Sequence, residues 1–275
     1  MTGLPRLLAV TTDAVCRSPA FPAGVAGIAS LGPRAGILVR APAASDAELA
    51  EFAGAAAARL SPGGARLFIH ARPDLAAALG AAGVQLRRTD LSPRDARLVM
   101  PDGLIGLSVH DPEEARRAAG EGADFLVAGN VFASESHPGR PARGLAWLES
   151  IVAAGIPVFA IGGITPARQE PVLRAGAFGV AVISAIWDQP DPGDAAREFL
   201  SAGPAGPGEI ELTVNGEPRR VSAPLTLAGL LERLDLDQRA VVVELNRRIV
   251  RRPDLGHTRL AEGDSVELVH FVGGG

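Results

Sequence analysis

At 275 residues the chain is too long for one ordinary compact domain and too short for two large ones, so a barrel-sized domain with a small companion fits its length. Hydrophobic residues make up 47% and charged residues 21%, which excludes a mostly disordered chain. A formal net charge of −4, only 4% aromatics and no Tyr argue against a polyanion-binding or base-stacking surface, so no nucleic-acid partner is expected. Cys16 is the only cysteine, leaving no intrachain disulfide and no multi-Cys zinc site. No apolar run reaches the length of a membrane span and no basic-plus-apolar leader is visible, so the expectation is a cytoplasmic protein without a membrane partner. All 27 basic residues are Arg, and without Lys no Schiff-base mechanism is open to the chain.

In chain order, short apolar runs alternate with Ala-rich helical stretches. The runs are RLLAVT (6–11), AGILVR (35–40), RLFIHA (66–71), GVQL (83–86), LIGLSVH (104–110), FLVAGNVF (125–132), PVFAIGG (157–163) and GVAVISAI (179–186). Between them lie segments such as SDAELAEFAGAAAARL (45–60) and DPEEARRAAGEGA (111–123), the second opening on a helix-start signature at Asp111-Pro112-Glu113. Continuous apolar strands separated by helices imply a parallel sheet covered on both faces, and eight repeats fit a (β/α)8 TIM barrel over residues 1–200. A doubly wound open sheet is the competing architecture.

The segment SAGPAGPG (201–208) has no branched apolar residue and reads as a linker. Residues 209–275 then change pattern. An Asn215-Gly216 hairpin turn lies within EIELTVNGEPRRVSAP (209–224), TLAGLLERLDL (226–236) is an amphipathic helix, and AVVVELNRRIV (240–250) and DSVELVHFV (264–272) are further strands. That order suggests a small α+β, ubiquitin-like β-grasp domain.

The last strand runs into Gly273-Gly274-Gly275. Glycines without Cβ let a tail extend into a narrow enzyme tunnel and leave a terminal carbonyl unhindered. With VNGEPRRV, TLAGLL, VVVELNRRIVRR and LAEGDSVELVHFVGGG, residues 209–275 resemble the ThiS family of sulfur carrier proteins of thiazole biosynthesis. The resemblance implies adenylation of the C-terminus by a ThiF-like enzyme using ATP, loading of sulfur from a donor as a thiocarboxylate at Gly275 beside Gly274, and delivery to a ThiG-like thiazole synthase. A molybdopterin-type carrier shares tail and fold.

In the barrel, AIGGIT (160–165) puts Gly162 and Gly163 at a strand end before Thr165-Pro166, and VISAI (182–186) puts Ile183 and Ser184 beside them. Bare N–H groups at a helix start suit a phosphate, and barrels often bind one with their last two loops; turn geometry alone is the bland reading of the same glycines. With IGLSVHDPEEARRAAGEGADFLVAGNVF (105–132), residues 6–200 resemble the thiamine phosphate synthase/TenI superfamily. It implies a thiazole phosphate ligand and no tightly bound cofactor in the tautomerase branch. The synthase branch holds magnesium with two aspartates and pyrophosphate with a lysine. The matching positions here are Ala71, Asp90 and His137, so no metal site is expected. VQL, DLSPRDAR and SVHDPEEA resemble the tautomerase branch, which aromatises the thiazole carboxylate phosphate.

That branch's proton-carrying histidine is Asn130 here, and an amide cannot cycle a proton near neutrality. His137, then His110, then His70 are the replacement candidates, and Arg40 at its strand end is the candidate partner of the substrate carboxylate. Structural roles compete for each. The expectation is a thiazole-forming fusion: sulfur carrier plus thiazole phosphate tautomerase, an isomerase. The alternatives are a thiamine phosphate synthase with an altered pyrophosphate site or a catalytically silent thiazole phosphate-binding or docking barrel.

Overall fold

The computed structural model describes residues 4–60, 64–134, 141–202, 210–221, 225–234, 236–238, 241–246, 248–256, 258, 260 and 263–270. The chain forms two compact units, Met1–Gly203 and Pro204–Gly275. The first is a closed barrel of eight parallel strands in chain order. They are β1 (Leu7–Val10), β2 (Ala35–Val39), β3 (Arg66–His70), β4 (Gly83–Leu86), β5 (Leu104–Val109), β6 (Phe125–Gly129), β7 (Val158–Ile161) and β8 (Gly179–Val182), with β8 pairing back onto β1. The open-sheet alternative is thereby excluded.

Each expected run contains a strand, but the strands stop earlier than the apolar patterns do. β6 ends at Gly129, and the amides of Val131 and Phe132 then donate to the carbonyls of Ile161 and Gly162 (2.9 and 3.1 Å). β8 ends at Val182 because the chain turns at once into the short helix Ser184–Trp187. The Asp111 cap forms as expected: its carboxylate accepts from the amides of Glu113 and Glu114 (2.9 and 2.8 Å) at the head of helix Pro112–Gly120.

Strand alternation separates two cores. Leu7, Ala9, Ile37, Val39, Leu67 and Ile69 face the helices, whereas Leu8, Val10, Leu38, Phe68, Phe125 and Phe159 fill the barrel. Phe68, Phe125, Phe159 and Phe178 meet edge to face at 5.6 Å in succession, forming a plug across the interior. The plug needs a strand without a side chain beside it, since a Cβ on Gly106 would come within 2.2 Å of two Phe125 ring atoms.

The second unit is a five-stranded mixed sheet in the order β10-β9-β13-β11-β12. Its strands are β9 (Ile210–Val214), β10 (Glu217–Val221), β11 (Val241–Leu245), β12 (Arg248–Val250) and β13 (Ser265–His270), with an α-helix at Leu227–Arg233. Asn215 and Gly216 turn β9 into β10 with φ of +50° and +80°, as a type I′ hairpin requires. The expected single strand over 240–250 is a hairpin instead, because Asn246 adopts φ +50° and bonds back through its side chain to Asp264 and the Ser265 amide (2.7 and 2.9 Å). The first strand, β9, and the last, β13, pair in parallel at the centre, the β-grasp arrangement. Leu227, Leu230 and Leu231 of the helix pack on Leu212, Val214, Val243 and Val266.

Phe125→Ala should cost about 3–5 kcal/mol of stability. Gly106→Ala should also destabilise the barrel by forcing that ring aside, at about 1–3 kcal/mol. Denaturant unfolding of the two variants against the parent checks both.

Candidate functional site

Closure brings the C-terminal ends of all eight strands to one mouth, where a cavity of about 710 Å³ opens above the phenylalanine plug. Inward parity selects its wall. Leu38 points in, so Arg40 does; Phe68 points in, so His70 does; Gly83 and Gly106 point in, so Gln85 and Ser108 do. Of the sequence-derived candidates, Arg40, His70, His110, Asn130, Gly162, Gly163, Ile183 and Ser184 all line this one cavity. His137, Gly274 and Gly275 lie outside the described residues.

Gln85 and Arg168 are wall residues that sequence reasoning missed. Gln85 is 3% exposed on a strand otherwise apolar, and that buried amide was the available signal. Its oxygen faces His70 Nδ1 at 2.7 Å, while its nitrogen donates to the Leu86 carbonyl (2.6 Å) and to Ser108 Oγ (2.8 Å). Burial pushes the His70 imidazole below its ordinary pKa, partly countered by the Gln85 hydrogen bond, with the positive Arg40 and Arg87 adding to the depression and Asp90 opposing it. His110 is differently placed. Its side chain is 44% exposed, and Nδ1 faces Glu114 Oε2 at 3.2 Å. Asn130 donates from Nδ2 to the Phe132 carbonyl at 3.3 Å.

The glycine pair has a packing reason as well as a binding one. Gly162 and Gly163 adopt φ of +102° and +62°, and a Cβ on either would strike the segment after β6, Asn130 in the first case and the Ala133 carbonyl in the second. This close approach leaves bare backbone on the cavity wall. Helix Pro166–Arg174 begins just beyond it with no side-chain cap from Thr165; the Arg168 amide donates to the Thr165 carbonyl (2.9 Å), and the positive end of the helix dipole lies at this corner. Arg168 folds over the same corner, donating to the Gly163 carbonyl at 2.9 Å with its guanidinium 5.2 Å from the Phe132 ring centroid.

The opposite wall is cationic. Arg40 has no ion pair among the described residues, and burial lowers its pKa against the pull of Asp13. Arg87, by contrast, is neutralised by Asp90, which accepts from its guanidinium (2.8 Å) and its amide (2.7 Å). Asp90 is therefore committed, and Ala71 supplies no donor. Among the described residues no group of three His, Cys, Asp or Glu side chains is placed to hold a metal ion. The magnesium of a synthase site does not fit this donor set.

Comparison with known proteins follows the same division. The family model described as thiamine monophosphate synthase (TMP-TENI) matches residues 7–186. The chain belongs to this family. Residues 212–275 match the ThiS family, so a sulfur-carrier unit follows the barrel and the chain sits within thiamine biosynthesis. A thiamine-phosphate synthase of Thermus thermophilus is 46% identical over 136 residues, covering 49% of this chain and 66% of that protein. The bifunctional ThiM/ThiE thiamine biosynthesis protein of Symbiobacterium thermophilum is 44% identical over 153 residues, covering 54% and 31%. The chain thus spans less than two thirds of these relatives. The solved thiamine phosphate pyrophosphorylase of Pyrococcus furiosus is 33% identical with a TM-score of 0.63, covering 72% of this chain and 95% of that one. These names favour the synthase alternative over the tautomerase expected from the sequence. Among the described residues no helix is long and apolar enough to cross a membrane.

Gly163→Ala should weaken binding of an alkyl phosphate to the barrel at least about tenfold, since displacing the glycine loop removes its charge-assisted hydrogen bonds. Calorimetric titration of parent and variant with thiazole phosphate measures it.

Proposed function

We propose that both units serve thiazole formation for thiamine: the second carries sulfur, and the barrel aromatises the thiazole carboxylate phosphate. The observation that supports the barrel reading is the pairing, in one cavity, of a glycine-and-helix corner suited to phosphate with a neutral histidine and a half-buried, unpaired Arg40 suited to carboxylate. The ligand would span the cavity, phosphate at Gly162, Gly163, Ile183 and Ser184 and carboxylate at Arg40. The reaction is a proton shift without redox change, and needs a base but no metal.

A second reading, thiamine phosphate synthesis, is favoured by the names of the relatives. Against it stand Ala71 and the commitment of Asp90 to Arg87, which leave magnesium pyrophosphate without its carboxylate ligands. A third, the silent docking barrel, is favoured only by Asn130 at the family's histidine position.

One assay separates the three. The tautomeric product of a thiazole synthase is supplied to the full chain, with and without the pyrimidine pyrophosphate and magnesium. Aromatic thiazole carboxylate phosphate formed without additions is the expected result; thiamine phosphate formed only with them would establish the second reading, and neither product the third. Arg40→Ala should raise KM for the carboxylate substrate about 10- to 100-fold, the equivalent of one hydrogen bond to a charged group. For the carrier, intact mass after incubation with ATP, a ThiF-like enzyme and a sulfur donor should show one oxygen-for-sulfur exchange, abolished by deleting Gly275.

A further inference from the structure

The Gln85 amide can be oriented without ambiguity. Its nitrogen lies 2.6 Å from the Leu86 carbonyl, a group that only accepts, and 2.8 Å from Ser108 Oγ, which can accept. A flipped amide would set two oxygens against each other at Leu86. The oxygen therefore faces His70, and a carbonyl oxygen accepts only, so His70 Nδ1 carries the proton across the 2.7 Å contact. Nε2 is then left with its lone pair. It has no hydrogen-bond partner among the described residues, in a buried residue of the cavity wall.

The anchor matters as much as the contact. A carboxylate behind a histidine stabilises the imidazolium; a neutral amide fixes the ring without doing so. The charged groups around His70 are Arg40 from the end of β2 and Arg87 and Asp90 beyond β4, and Asp90 is already paired with Arg87. The ring is thus held neutral, in one tautomer, beside the guanidinium that faces the carboxylate end of the ligand. His110 cannot match this: it is half exposed and backed by Glu114.

We propose that His70 Nε2 is the proton carrier of the aromatisation and that Gln85 is its positioning residue, an inference resting on the tautomerase reading. Nε2 takes a proton from the saturated ring carbon, the C–H electron pair enters the conjugated system to complete the aromatic ring, and the imidazolium returns the proton to the exocyclic carbon at the far end. Atoms and electrons balance as an isomerisation, and His70 ends as it began.

The test uses the full chain and the thiazole synthase product. His70→Gln should lose at least about 100-fold in kcat, the usual contribution of a positioned acid–base group, while binding the aromatic thiazole phosphate as the parent does. In the parent, kcat/KM should fall on acidification with an inflection below the ordinary imidazole pKa, because only the neutral ring is a base. Gln85→Glu should move that inflection to higher pH, and Gln85→Leu should lower kcat more than it raises KM. Independently of activity, nitrogen NMR of the ligand-free parent at neutral pH should report the Nδ1–H tautomer at His70. An active parent with a fully active His70→Gln variant, an unmoved inflection in Gln85→Glu, or an Nε2–H tautomer would overturn the proposal while leaving the tautomerase reading standing. An inactive parent would overturn the reading and the proposal together.

Discussion

Closure of the eight-stranded sheet with a fixed inside and outside is the constraint on which the barrel's site depends. Because side chains alternate, a strand that contributes Phe68 to the plug must contribute His70 one layer higher, and one that contributes Leu38 must deliver Arg40 to the same level. The plug then acts as a floor. Four phenylalanines at successive 5.6 Å spacings fill the lower barrel, so the polar groups above them converge on one mouth. A one-residue slip in any strand would send its cavity residue into the helix layer, which is why the apolar pattern and the site cannot vary independently.

The carrier unit obeys a related constraint. β13 is clamped by β11 on one side and β9 on the other, with Val266 opposite both Val214 and Leu245. Pairing on two edges fixes the register of the strand that precedes the glycine segment, while the Asn215 side chain adds a bond to the Leu268 amide at 2.7 Å. In the proposed carrier role, a strand held on both edges would give the glycine residues that follow it in the sequence a fixed base.

Much of this was legible in the sequence. Continuous apolar strands between Ala-rich helices specify a parallel sheet, and their eightfold repeat favours closing it into a barrel, as it does; Asn215-Gly216 announces its hairpin. What misled was the length of apolar pattern at strand ends: in 125–132 and 179–186 the apolar residues continue after the sheet stops, because Val131 and Ile186 are buried in the outer core without being strand residues. At Asn246 a turn hides inside a β-rich run, since a single left-handed residue leaves no composition signal beyond Asn itself. The cavity candidates followed from strand ends, but Gln85 did not, because its importance lies in a cross-strand contact with His70 and Ser108 that only the register reveals.

The electrostatics of the cavity bear on the choice between the two proposed reactions. A pyrophosphate-handling site needs carboxylates to hold a divalent cation; here one position is Ala71, and the other, Asp90, is spent on neutralising Arg87. Removing acids from a wall that already carries Arg40 leaves a field hostile to a second positive charge, whether a metal ion or an imidazolium. Burial is the main cause that pushes the His70 imidazole below its ordinary pKa, and the positive Arg40 and Arg87 act in the same direction. In the proposed reaction, the negative charge of a bound carboxylate and phosphate would favour an imidazolium on His70, so the ligand itself would supply the counter-charge that the protein withholds. Proton transfer would then be coupled to occupancy, and the empty barrel would hold no strongly polarised base to desolvate.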